Sequence, residues 1–482
     1  MGSKANNLYI TDYLEANAQR HPDKLAIEFE GQQITWGELW QEVQALSGYF
    51  INQLSPSQQD IVALLLTNSI EFIKLYLAVL QAGHMVMPLD PAYKKLELDA
   101  MVKRIKPKLV VTSPRYRQQI DYGPGVLLVS DIPKIQAKAK PLRIEPEEQV
   151  ATLTFTSGTS GQPKAVPNTH TNHIWNIKAC SEVWKWTPDD RLLVCLPLSH
   201  MHGIVICLSG VIYHGNTMYL RQQAFDAGEI LDELASGRIT MFTHGPIGYL
   251  KMLSYEPDKK YDLSKVRVLI SGSAPLAPAV WQEFKKRFGV EIIETYGSTE
   301  TGRIAGNRLN HKVLGSPGPV FPGVNLKLSS ESEILIKSPG VFPGYYKNLP
   351  ATKKSQTSDG YWKTGDIAEL KDGNLFLKGR VQELIRRYGY TISPRDVEWA
   401  MQQHPKVKEI FVMGRQVTNE PNDKLIYFVV TSLNDSQIRD YCKDNLLFAW
   451  RPDEIIHLEE LPRTSSGKAS LPKLKSLMEQ GA

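Results

Sequence analysis

The sequence predicts an α/β fold: a large N-terminal domain of two helix-covered sheets plus a small β-rich lobe, followed by a small α+β C-terminal domain. Three observations carry that prediction. The chain has 482 residues, too many for one ordinary core. Its 42% apolar and 22% charged residues are the balance of a protein that folds throughout. Apolar strands alternate with helical segments along most of its length, the grammar of parallel sheets covered by helices.

In chain order, KLAIEFEGQQITW reads as a hairpin turning at Gly31, and Thr35 with Glu38 has the spacing of a capping box that opens a helix. DIVALLL is a continuous apolar strand, and SIEFIKLYLAVLQAG is a helix that Gly83 can end. MVMPLD, a helix near 94–104 and KLVVT continue the alternation. After a polar connection around 138–148 come the strand VATLTFT, the helix TNHIWNIKACSEVW, and the strands RLLVCLP, VRVLISGS and VEIIETYG. From Gly323 short strands such as NLKL and EILIKS dominate. A compact α+β pattern follows KGR at 378–380, dividing the chain into 1–379 and 380–482. The sequence shows no internal repeat at solenoid periods.

The net charge of +5 comes from 56 basic and 51 acidic residues scattered along the chain, so no basic stripe marks a nucleic-acid partner. Cys180, Cys195, Cys207 and Cys442 form no CxxC pair and read as buried thiols in a reducing compartment. The most apolar stretch, GIVICLSGVIY, is too short for a membrane span. The opening residues have no apolar core of a secretion signal, so a cytoplasmic location is expected.

Residues 154–167, TFTSGTSGQPKAVP, hold the first chemical signal. Thr156, Ser157, Gly158, Thr159, Ser160, Gly161 and Lys164 stand after an apolar strand and, in this reading, before a helix. Glycines let backbone N–H groups face an anion, hydroxyls add donors, and the lysine brings charge. The spacing is not GxxxxGK[ST], so this is not a Walker loop. Standing alone, it would equally be a flexible Ser/Gly loop with an incidental lysine.

Together with five further segments in order, the stretch resembles the phosphate loop of adenylate-forming enzymes, which include acyl-CoA synthetases, firefly-type luciferases and peptide-synthetase adenylation domains. Ser160 and Ala165 depart mildly from that pattern. SGSAPL resembles the turn beside the adenine, implying Gly272, Ser273, Ala274 and Pro275. ETYGSTETG resembles the segment that supplies Glu294, Thr295, Tyr296, Gly297, Ser298 and Thr299 to the nucleotide and Glu300 to magnesium. YWKTGD and GRVQELIRRYGYTISPRDVE imply ribose contacts from Asp366 and Arg380. LPRTSSGKASLPKLK places Lys468 where the family has its adenylation lysine.

The resemblance implies ATP-dependent conversion of a carboxylic acid to an acyl-adenylate, then transfer to a thiol of CoA or of carrier-protein phosphopantetheine. A mobile C-terminal domain would rotate between the steps, with Gln382 at the hinge. Arg386 would act in the second conformation or be a surface residue. Gly389 and Tyr390 would border the thiol channel, where Tyr388–Gly389 replaces a frequent glycine pair. PLSHMHGIV resembles the segment opening the acyl pocket, implying His202 and Gly203, with Thr243, Gly245, Ser271 and Thr295 as further walls. If that stretch were a strand, His200 and His202 would share a face, and zinc is the alternative to pocket lining. Relatives that activate dicarboxylic acids often carry an arginine where this chain has Thr295. Arg303 in TGRIAG reads as a surface residue, with a cation reaching the pocket from another angle as the alternative. An uncharged monocarboxylic acid is therefore the expected substrate. A nucleotide-binding or ATP-hydrolysing module without ligase activity remains the rival class.

Overall fold

The computed structural model describes residues 8–156, 164–222, 225–255, 260–388, 390–416, 422–464 and 467–480. The candidate residues Ser157, Gly158, Thr159, Ser160, Gly161 and Gly389 lie outside them. Among the described residues, an eight-stranded sheet runs in the order Gly302–Gly306, Ile292–Ser298, Val268–Ser271, Met241–His244, Arg191–Val194, Thr217–Leu220, Leu25–Phe29, Gln32–Thr35. Its inner pairs are parallel, and an antiparallel pair closes each edge. A six-stranded sheet joins Val126–Leu128, Leu109–Thr112, Ile61–Leu65, Met85–Leu89, Val150–Thr156 and Lys164–Thr169. Both sheets carry helices, and their strands are apolar along their whole length because both faces are covered. Ile61–Leu65 and Met85–Leu89 are buried at every residue.

The local chemistry accounts for these elements. Glu30 and Gly31 both take positive φ, +49° and +79°, as a two-residue hairpin turn requires. The Thr35 hydroxyl accepts the Glu38 N–H, and Glu38 Oε2 accepts the Thr35 N–H, closing the capping box of the helix Trp36–Gln53. A five-stranded antiparallel sheet forms the β-rich lobe, with Trp362–Lys371 and Asn374–Arg380 at its centre. Residues from Ile385 onward close two hydrophobic clusters of their own, built around Val407–Arg415 and Lys424–Thr431.

Two expectations are corrected. Lys164 opens a strand, Lys164–Thr169, antiparallel to Val150–Thr156, and the helix His170–Trp184 begins only after it. The 157–163 segment therefore joins two strands and does not lead into a helix. Pro167 is tolerated because this is the sheet's edge strand. The PLSHMHGIV segment is not a strand either. His202–Leu208 is a π-helix that runs into the helix Ser209–His214, so the histidines do not share a strand face. His200 pairs with Asp90 at 3.2 Å, whereas His202 turns to Thr243 and Ser273.

Candidate active site

The C-terminal ends of the parallel strands, where an open α/β sheet offers its crevice, hold most of the candidate residues. Ile292–Ser298 carries Glu294, Thr295, Tyr296, Gly297 and Ser298, and the turn into Gly302–Gly306 carries Thr299 and Glu300. Ser298 and Thr301 brace that turn through a hydroxyl pair at 2.9 Å. Gly297 must be glycine, because a Cβ there would stand 2.1 Å from the Gly302 carbonyl oxygen. The Thr156 and Tyr345 hydroxyls both donate to Glu300 Oε1 at 3.3 Å. Lys164 Nζ lies 4.7 Å above the Tyr345 ring. Thr156 thus meets Glu300 directly, and Lys164 approaches it through Tyr345. Glu300 and Thr156 are hard oxygen donors, a set that fits magnesium bound chiefly through phosphate oxygens and water.

Asp366 and Arg380 are direct partners across adjacent antiparallel strands. The Arg380 Nε–H donates to Asp366 Oδ1 at 2.8 Å, and the Tyr296 hydroxyl donates to Asp366 Oδ2 at 2.6 Å. This bond fixes the tyrosine against the lobe that carries the carboxylate.

Lys468 comes to the same place from the last part of the chain. Its turn is closed by the Thr464 N–H donating to the Lys468 carbonyl, with Gly467 at φ +81°. A Cβ on Gly467 would stand 3.0 Å from Ile247, so the turn rests on the helix Pro246–Ser254 of the large sheet region. Lys468 is an exposed residue, with partial burial of its charged end by the surrounding protein. That burial lowers its pKa, Arg380 and Arg395 lower it further, and Glu300 and Asp366 oppose them. These causes place Lys468 within electrostatic reach of both carboxylates.

The next group borders the turn after Val268–Ser271. His202 Nε2 and Thr243 Oγ1 are 2.8 Å apart, and His202 Nδ1 and Ser273 Oγ 3.3 Å. Ser273 holds φ +69°, an uncommon state for serine. Burial first, then Arg303 and His244, hold the His202 pKa well below its usual value, so the ring is neutral at pH 7. Its side chain keeps some accessible surface. Gly203 packs on Pro197, and Gly245 caps Pro246–Ser254 beside Gly272. The Ser271 hydroxyl is buried with no partner among the described residues. Ala274 and Pro275 continue the turn to Leu276, whose N–H donates to Glu294 Oε1 at 3.2 Å. Burial pushes the Glu294 carboxyl up to about 7 against that hydrogen bond and Arg395.

Gln382, Arg386 and Tyr390 stand exposed, and none of the side-chain bonds described above involves them. Arg303 is a correction: only 9% of its surface is exposed, so it is not a surface residue. Sequence reading also missed Tyr345 and Arg395, which carry no spacing signal. Among the described residues no cluster of three metal-ligating side chains exists, and no helix is long and apolar enough to cross a membrane.

The profile of the AMP-binding enzyme family matches residues 14–346, and that of the AMP-binding enzyme C-terminal domain matches 396–468. The chain belongs to the AMP-binding enzyme family. It is 30% identical to a 2-succinylbenzoate–CoA ligase of Listeria monocytogenes serotype 4b over 97% of this chain and 99% of that protein. It is 28% identical to an oxalate–CoA ligase of Arabidopsis thaliana, over 95% and 96%. The crystal structure of ATP-bound MatB from Rhodopseudomonas palustris superposes with a TM-score of 0.88 at 26% identity, over 98% of this chain and 99% of that one. The apo form of MatB gives 0.78.

Proposed function

We propose that this chain activates a carboxylic acid with ATP and passes the acyl group to the thiol of coenzyme A. A carboxylate oxygen attacks the α-phosphorus, the bond to the bridging oxygen breaks, and pyrophosphate leaves. The thiolate then attacks the acyl carbon and AMP departs. The observation that carries this reading is that the Lys468 turn, from the last part of the chain, packs against Ile247 and brings the lysine within electrostatic reach of Glu300, Asp366 and Arg380. Binding a nucleotide alone needs no second cation brought from so late in the chain. CoA ligases among the relatives support it.

Attack of one anion on another is slow unless fixed cations and donors stabilise the crowded charge. Lys164 and the 157–161 segment would hold the departing pyrophosphate, and Lys468 would bridge the incoming carboxylate and the α-phosphate. Glu300 would hold magnesium, which when bound neutralises phosphate charge. Tyr296, with 272–275 and 294–299, would flank the adenine. Asp366 would accept from the ribose hydroxyls, with Arg380 holding it in place. His202, Gly203, Thr243, Gly245, Ser271 and Thr295 would border the acid.

For the second step we place the division at 1–379 and 380–482, with rotation at Gln382 bringing Arg386, Gly389 and Tyr390 to the thiol. A carrier protein's phosphopantetheine ends in the same thiol and is the alternative acceptor. Four cysteines, buried and unpaired, fit a reducing compartment, the cytoplasm in this reading. The test is acid-dependent pyrophosphate release across a broad panel of acids, hydroxylamine trapping of the adenylate, then addition of CoA or a carrier protein. Pyrophosphate from none of the acids would sink the reading.

A further inference from the structure

Arg303 is the buried charge that this chemistry leaves unused. It stands on the strand Gly302–Gly306, its backbone N–H held by Asn176 Oδ1 at 2.6 Å. Its guanidinium forms no ion pair and donates no hydrogen bond among the described residues. No Arg303 nitrogen is among the sealed, unpartnered side-chain atoms of the described residues. Two thiols, Cys180 and Cys207, lie near it, but burial pushes Cys180 up to about 12 and Cys207 higher still, so neither is an anion at pH 7. The neutral His202 is no counter-ion either.

Gly272 shows what the guanidinium stands beside. A Cβ on Gly272 would stand 3.2 Å from His202 Cε1, 3.2 Å from Thr295 Cγ2 and 3.4 Å from Arg303 Nη1. The guanidinium therefore reaches the same point as the two side chains that border the acid. A guanidinium taken out of water without an anion is unfavourable, and five N–H donors in a rigid fork match a carboxylate. Thr295 removes the cation expected from its own strand, and Arg303 brings one from the next strand across.

We propose that the acid carries a second carboxylate, held by Arg303, and that the substrate is a dicarboxylic acid. This rests on the ligase reading above, and it replaces the expectation of an uncharged monocarboxylic acid. A side chain at position 272 would crowd the guanidinium and the two residues beside it.

The test compares each diacid with its half-amide, which has the same shape and lacks the second charge: malonate with malonamate, succinate with succinamate, glutarate with glutaramate. Aliphatic and aromatic monoacids complete the panel, and pyrophosphate release gives kcat/KM. At least one diacid is expected to exceed its half-amide by about 100-fold or more. Arg303→Met should abolish that preference, leaving the half-amide within about threefold and the KM for ATP unchanged, as a site rather than a structural role demands. A thermal melt shows whether the variant folds. If it does not, wild-type discrimination and Arg303→Lys, which keeps a charge and should keep part of the preference, decide the matter. Monoacids or half-amides used as well as diacids, or Arg303→Met weakening all acids equally, would overturn this proposal alone. Pyrophosphate from no acid would overturn the ligase reading and this proposal together.

Discussion

Glu294 shows what burial does to one side chain of the candidate site. Its carboxyl ordinarily titrates near 4.5, and in the folded chain burial raises it to about 7. Between those values the folded state keeps a proton that the unfolded state has released, so stability falls as pH rises through this window and levels off above it. Replacing the carboxylate with an amide keeps an acceptor for the Leu276 N–H and removes the ionisation. Glu294→Gln is thus expected to stabilise the fold by about 1–3 kcal/mol at pH 8 and by little at pH 5. Melting curves of both proteins at the two pH values check this, and an equal shift at both would refute it. Residues of this kind were partly legible in the sequence. Tyr296, Asp366 and Arg380 sit in short patterned segments, and the structure joins them by hydrogen bonds. Arg303 was not legible, because an isolated arginine in a short strand is usually a solvent-facing residue. Only its neighbours across three other segments show that its charge is enclosed.

Strands and helices were most legible where one local rule decides them. The hairpin at Gly31 and the capping box at Thr35 depend on adjacent residues alone, and both form as read. The apolar run after Met201 has no period that separates strand from helix, and it folds as a π-helix continued by an α-helix. The strand Lys164–Thr169 was hidden by its proline and polar residues, which an edge position permits. Contact between the strands Ile292–Ser298 and Gly302–Gly306 is set by a glycine whose role needs the register: Gly297 opposes Arg303. A Cβ at Gly297 would stand 2.1 Å from the Gly302 oxygen and 3.0 Å from Arg303 Cα, both backbone atoms that cannot swing aside. Gly297→Ala should force the two strands apart, costing about 1–3 kcal/mol, and should shift the Arg303 guanidinium. The expected result is a lower unfolding midpoint together with a raised KM for the acid. An unchanged midpoint and KM would show that the strands yield without effect on the pocket.

At the scale of the whole molecule, the cleft is completed by a residue that no neighbouring segment could supply. The Lys468 turn rests on Ile247, and the charges of Arg380, Arg395, Glu300 and Asp366 act on its ammonium. Two arginines near a lysine repel it, and two carboxylates offset that only in part, since burial and the arginines leave its pKa lowered. Such an arrangement is stabilised when further negative charge enters the cleft, as triphosphate and carboxylate would. In the proposed mechanism the lysine serves the step in which those anions meet, with no equivalent task once the adenylate has formed and the thiol attacks. Lys468→Ala is accordingly expected to lower adenylate formation by about 100-fold or more, measured as acid-dependent pyrophosphate release. Conversion of supplied acyl-adenylate to thioester should stay within a few-fold of wild type, because that step uses the opposite charge movement, AMP leaving rather than anions combining. Equal loss in both assays would mean that Lys468 holds the cleft together structurally, and that the two steps do not use separate arrangements of the C-terminal region.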